Sequence, residues 1–97
     1  MKALGPERDE TMDPKAAVRN WLAAETAAER TEAMNAYNAW AKGGGFLARV
    51  ATHPASDVWM RGDRFGDVFK LGRKLVTVRG NSKRVWKMSA RNILEVI

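Results

Sequence analysis

The chain contains no cysteine, so it can form no disulfide, no thiolate metal site and no cysteine nucleophile. It has one histidine, His53, beside Pro54 in a stretch that reads as a loop, with no second imidazole to share a metal or a proton. No run of eighteen apolar residues occurs, so no membrane-spanning helix is expected. The start, Met1 to Pro6 followed by Glu7, Asp9 and Glu10, lacks the apolar core of a signal peptide, and the cytoplasm is the expected compartment. Gly43-Gly44-Gly45 is not a phosphate loop, because no strand precedes it and no Gly-Lys-Ser/Thr follows. Asp57, Asp63 and Asp67 lack calcium-loop spacing and read as turn residues and partners for Arg61 and Arg64. These absences argue against an enzyme, a metal site and a cofactor.

What the chain does have is a lopsided charge. Seventeen Lys and Arg against eleven Asp and Glu leave a formal charge of +6. Residues 1–56 hold seven of each sign and residues 57–97 hold ten basic and four acidic side chains, so the whole excess lies in the second part. A basic unit on a neutral arm is what a polyanion-binding face would look like.

That second part also carries the clearest structural pattern. Val58 and Met60 alternate, as do Val76 and Val78, then Trp86 and Met88, the period of half-buried strands. Gly62, Gly66, Gly72 and Gly80 punctuate them and suit turns or bulges with positive φ. Val68, Phe69 and Leu71 do not alternate cleanly, and a bent strand with apolar contacts on both faces would accommodate them. Leu71-Gly72-Arg73 and Arg79-Gly80-Asn81-Ser82 mark hairpins. Ser89 to Asn92 reads as one helical turn before a last strand, Ile93 to Ile97. Five short strands in about forty residues suit a small closed barrel, since closure removes exposed edges.

The run Gly66-x-Val68, Leu71-Gly72-Arg73-Lys74-x-Val76-x-Val78, Val85 to Met88 and Asn92-Ile93-Leu94-x-Val96 resembles an SH3-like β-barrel of the KOW/Tudor type. The resemblance covers residues 57–97. It implies a five-stranded barrel in a superfamily of nucleic-acid binders, ribosomal and polymerase-associated factors and peptide binders, so the fold does not choose the function. The same basic tail is similar to small uncharacterised proteins of bacteriophages and their actinobacterial hosts.

The first part reads as a helical arm. Met1 to Met12 is polar and contains Gly5-Pro6, which suggests a disordered leader. Asp13-Pro14 is an N-cap followed by proline at the first helical position, opening a helix through about Ala24 with Ala17 or Val18, Trp21 and Leu22 as its stripe. Thr26-Ala27-Ala28-Glu29 is a capping box and begins a second helix, Ala27 to about Lys42, with Ala33, Met34, Tyr37, Trp40 and Ala41 as its stripe. The two stripes do not share one face of a continuous helix, so a break near Glu25–Thr26 is expected in preference to one bent helix. Residues 43–56 read as a linker, with Phe46, Leu47 and Val50 able to lie against the core as a short helix or strand. A forty-residue barrel has a marginal core. The expected fold is therefore α+β, with two helices packed on the barrel, or with the chain forming a homodimer.

The candidate site residues follow from the charge and the turns. Arg61 and Arg64 flank the first turn, Lys70, Arg73 and Lys74 the second hairpin, and Arg79, Lys83 and Arg84 the third. Together they are the expected phosphate contacts of a DNA- or RNA-binding module of low sequence specificity. Trp59 and Phe69 fall out of phase with the core residues, which suits stacking on a base, holding a peptide, or securing the helical arm. The competing function is an adaptor, or a small phage or host regulatory protein, whose basic face meets an acidic protein partner.

Overall fold

The computed structural model describes residues 13–52, 57–80 and 83–97. The expected leader, residues 1–12, lies outside the described residues, as do His53-Pro54 and Asn81-Ser82.

Helix α1 (Pro14–Ala23) starts where Asp13, in extended backbone, accepts the Lys15 N–H at 3.0 Å. Helix α2 (Ala27–Lys42) starts at a complete capping box: Thr26 accepts from Glu29 N–H, and the Glu29 carboxylate accepts from Thr26 N–H. Both caps satisfy donors that the first helical turn leaves unpaired. The break between the helices lets each turn its own stripe inward. Ala17, Val18 and Trp21 from α1 and Ala33 and Tyr37 from α2 enter one core with Val58, Met60, Val68, Leu71, Val76 and Val78.

A third helix, α3 (Gly45–Thr52), occupies the segment expected to be a linker. It buries Phe46 and follows the Gly43-Gly44 turn directly. Gly45 has no room for a side chain, because a Cβ there would sit 2.3 Å from the Trp40 ring.

The strands are β1 (Val58–Met60), β2 (Arg64–Leu71), β3 (Leu75–Arg79), β4 (Val85–Ser89) and β5 (Ile93–Val96). A 3₁₀ turn, Ala90–Asn92, precedes β5. They form one antiparallel sheet in the order β4-β3-β2-β1-β5. This corrects the closed barrel: β4 and β5 are sheet edges not joined by backbone pairing. Closure needs tilted strands with a fixed stagger, whereas β1 has three residues and β5 four. The sheet instead bends at β2. Its first half pairs with β1 (Val58↔Gly66, Met60↔Arg64) and its second half with β3 (Val68↔Val78, Leu71↔Val76).

The register slips between Val68 and Lys70, so Phe69 is the extra residue of a bulge. Val68 and Leu71 can then both face the core while Phe69 turns out against Phe46, the two rings edge-to-face at 5.1 Å.

The glycines act mainly by being small. Of Gly62, Gly66, Gly72 and Gly80, only Gly62 has positive φ. A Cβ on Gly66 would fall 2.3 Å from Val78 Cγ1, so this position is held by close approach of β2 and β3.

Candidate functional site

The second half of β2 runs past the end of β1, which leaves one backbone edge without a strand partner. The helices and the β1 approach cover it. Val68 N–H donates to the Asp57 carboxylate at 2.9 Å, and Tyr37 Oη donates to Val68 C=O. The Asn38 amide imitates a strand, accepting from Leu71 N–H at 3.0 Å and donating to Leu71 C=O at 2.8 Å. The Trp21 indole N–H donates to Gly72 C=O at 2.8 Å. The base of the β2–β3 hairpin is thereby fixed to α1 and α2 from one side, and Gly72 N–H closes it by donating to Leu75 C=O at 2.8 Å.

On this anchored hairpin the cations converge. Lys70, Arg73, Lys74 and Lys87 line a groove of about 450 Å³ with Gly72, Leu75 and Thr77. Lys70, Thr77 and Lys87 form one row across β2, β3 and β4, set by the pairs Lys70↔Thr77 and Thr77↔Lys87. Lys87 belongs to the basic set of residues 57–97 but is not one of the eight expected phosphate contacts. Its signal was there: between Trp86 and Met88, which pack on the core, it must point to the opposite face.

The other candidates do not join this groove. Arg61 and Arg64 line a smaller pocket of about 170 Å³ with Met60, Trp86, Met88 and Asn92. Arg64 lies over the Trp86 ring at 5.6 Å, and Arg61 Nε donates to Arg91 C=O at 3.2 Å. Arg64 begins β2 and Lys70 lies six residues on, a separation of about 20 Å at strand rise. Because β3 is antiparallel to β2, Arg79 and the following Lys83 and Arg84 belong to the Arg64 end. Arg79 stands opposite Asp67 and is half-buried, and Lys83 takes the left-handed turn position (φ 67°). The eight candidate basic residues, some of which are expected to converge, thus form two groups.

The expected acidic partners also move. Asp63 is a turn residue with φ 58°. Asp57 and Asp67 are buried. Asp57 pairs with Arg49 of α3 at 2.7 Å, not with Arg61 or Arg64. Burial pushes the Asp57 carboxyl above its ordinary value, and Arg49 and the Val68 N–H pull it partly back. Burial likewise raises the Tyr37 hydroxyl far above the usual tyrosine value, against the opposing pull of Arg49. Arg49 Nη2 also donates to Tyr37 Oη at 3.3 Å and its guanidinium lies 5.0 Å from the Trp40 ring centre. This Tyr37–Arg49–Asp57 cluster is nearly closed to solvent and locks α2 and α3 to the sheet. It was missed because Arg49 and Asp57 lie in different elements and no local spacing connects them.

Burial of Asp57 and Asp67 sharpens the surface charge. Of the four acidic residues in 57–97, only Asp63 and Glu95 are exposed, while all ten basic ones are exposed or half-buried. Trp59 is half-buried and stacks on its cross-strand partner Phe65, centroids 6.5 Å apart and planes 18° apart. Among the described residues no cluster of three or more His, Asp or Glu could hold a metal ion, and no helix is long and apolar enough to cross a membrane.

Comparison with protein-family models, with curated proteins and with solved structures finds no match for this chain.

Proposed function

We propose that this chain is a non-enzymatic nucleic-acid-binding module that grips phosphates with the β2–β3 groove. The observation that carries the reading is the convergence of Lys70, Arg73, Lys74 and Lys87 on one groove above a sheet with only two exposed acids. Guanidinium and ammonium groups held in this way neutralise phosphates without reading bases. The strand order β4-β3-β2-β1-β5 and the 3₁₀ turn before β5 support an SH3-like ancestry, open between β4 and β5. Leu75, exposed in the groove wall, favours the second reading, in which an acidic protein surface takes the place of the phosphates.

Fluorescence anisotropy with labelled duplex DNA, single-stranded DNA and structured RNA at about 50 and 200 mM salt tests this. Four phosphate contacts on duplex give a log–log salt slope of roughly −3 to −4. Arg73→Glu with Lys74→Glu should weaken binding more than tenfold. Lys83→Glu with Arg84→Glu, at the other end of the sheet, should weaken it less than threefold. Failure of all three probes to bind at the lower salt, or equal losses from both double variants, would overturn the reading.

A further inference from the structure

A second groove lies between α2, α3 and β2. Its floor is Ala41, Phe46, Leu47 and Phe69 with Asn38 beside them, and Lys42 and Lys70 stand on its rim, with a volume of about 350 Å³. Two of the floor residues are large apolar side chains left open to solvent, Leu47 at 63% and Phe69 at 43% exposure. Neither belongs to the Tyr37–Arg49–Asp57 cluster that locks the helices to the sheet. The bulge in β2 is what turns Phe69 outward, and the Phe46 ring holds it edge-on at the groove floor.

We infer that this groove docks a short acidic peptide segment of a partner protein, an apolar anchor side chain flanked by carboxylates. The volume lies near the low end for ligand sites, enough for one or two anchor side chains and too small for a whole helix. The apolar lining gives nothing to a phosphate backbone, and the Asn38 amide beside it is already taken by the Leu71 backbone. No acidic residue lines the groove, and Lys42 and Lys70 stand on its rim, so the complementary charge is negative. The site is separate from the β2–β3 groove apart from Lys70, and the inference does not depend on the nucleic-acid reading.

The test is selection of random twelve-residue peptides displayed on phage against the immobilised, nuclease-treated full chain, with Leu47→Glu as the parallel target. Leu47 is mostly exposed, so Leu47→Glu should keep the thermal midpoint within a few degrees; Lys42→Glu reads the rim charge independently. Enriched peptides should carry Leu, Ile, Met or Phe beside two or more Asp or Glu. The best synthetic peptide should shift the amide resonances of Ala41, Leu47, Phe69 and Lys70. It should bind at least tenfold more weakly to Leu47→Glu and several-fold more weakly to Lys42→Glu. No enrichment, enriched peptides without acids, or affinity indifferent to Leu47→Glu would overturn the inference. A wild-type dimer that Leu47→Glu dissociates would assign the groove to a second copy, and a tenfold loss of oligonucleotide binding in Leu47→Glu would assign it to nucleic acid; either result also overturns it.

Discussion

Arg49 and Asp57 show how much one buried charge pair can decide. Their contact at 2.7 Å is nearly closed to solvent, with side chains 13% and 2% exposed. Removing one partner leaves the other charge stranded in a poorly solvated place, which typically costs about 3–5 kcal/mol. Arg49→Met should therefore lower urea stability by about that amount, and Asp57→Asn by less, because an amide can still accept the Val68 N–H. The raised Asp57 carboxyl also sets a pH dependence. Its native form holds a proton to higher pH than the unfolded chain does, so the stability linked to it is full below about pH 4 and is lost as pH rises through the raised native value. Thermal midpoints of wild type minus Asp57→Asn should fall as pH rises from about 4. A difference that grows as pH rises would refute the assignment.

At the scale of elements, two kinds of signal differ in reach. The helix starts were legible because caps are local: Asp13-Pro14 and the Thr26–Glu29 box are written within four residues, and both form as read. The strands were legible as alternation, including the turn before β5. The α3 helix was not fixed in advance, since Gly43 to Gly45 ends one helix and gives no start signal for another. The bulge at Phe69 was visible only as a conflict in phase; its position needed the β3 partner. The most specific tertiary contact at this scale is Asn38 serving as a strand for Leu71. Asn38→Ala leaves two backbone groups of β2 without their partner and should cost about 1–3 kcal/mol. Thr26→Ala, which removes a cap on an exposed helix start, should cost about 1 kcal/mol. Chemical denaturation of the two variants would rank them; a cap loss larger than the Asn38 loss would mean that α2 does not support the β2 edge.

For the whole molecule, the helices and the sheet are one folding unit. Trp21 and Tyr37 are fully buried in the same core as Val68 and Val78, and both also hold backbone carbonyls of the β2–β3 region. A fragment of residues 57–97 would expose that core face and leave Val68, Leu71 and Gly72 without their helix partners. It should be unfolded, with little chemical-shift dispersion in its proton spectrum, while residues 13–97 should give a dispersed one. A well-dispersed 57–97 fragment would show instead that the sheet is independent and the helices are an accessory. The charge acts at this scale too. The surplus of +6 is a sum over the chain, but internal pairing of Asp57 leaves the sheet surface more basic than the sum suggests.

The α+β class, the starts of two helices, the succession of five strands along the chain and the placing of the positive surplus in residues 57–97 are all legible in the linear chain. Each of these rests on interactions within a few residues or on composition, which a linear chain displays directly. That the sheet stays open, that Arg49 pairs with Asp57, and that the eight candidate cations divide into two groups with Lys87 added to one follow from the fold and not from any local pattern. These depend on which backbones approach and in what register. A single slipped residue at Phe69 changes which side chains share a face, and no local pattern encodes that distance.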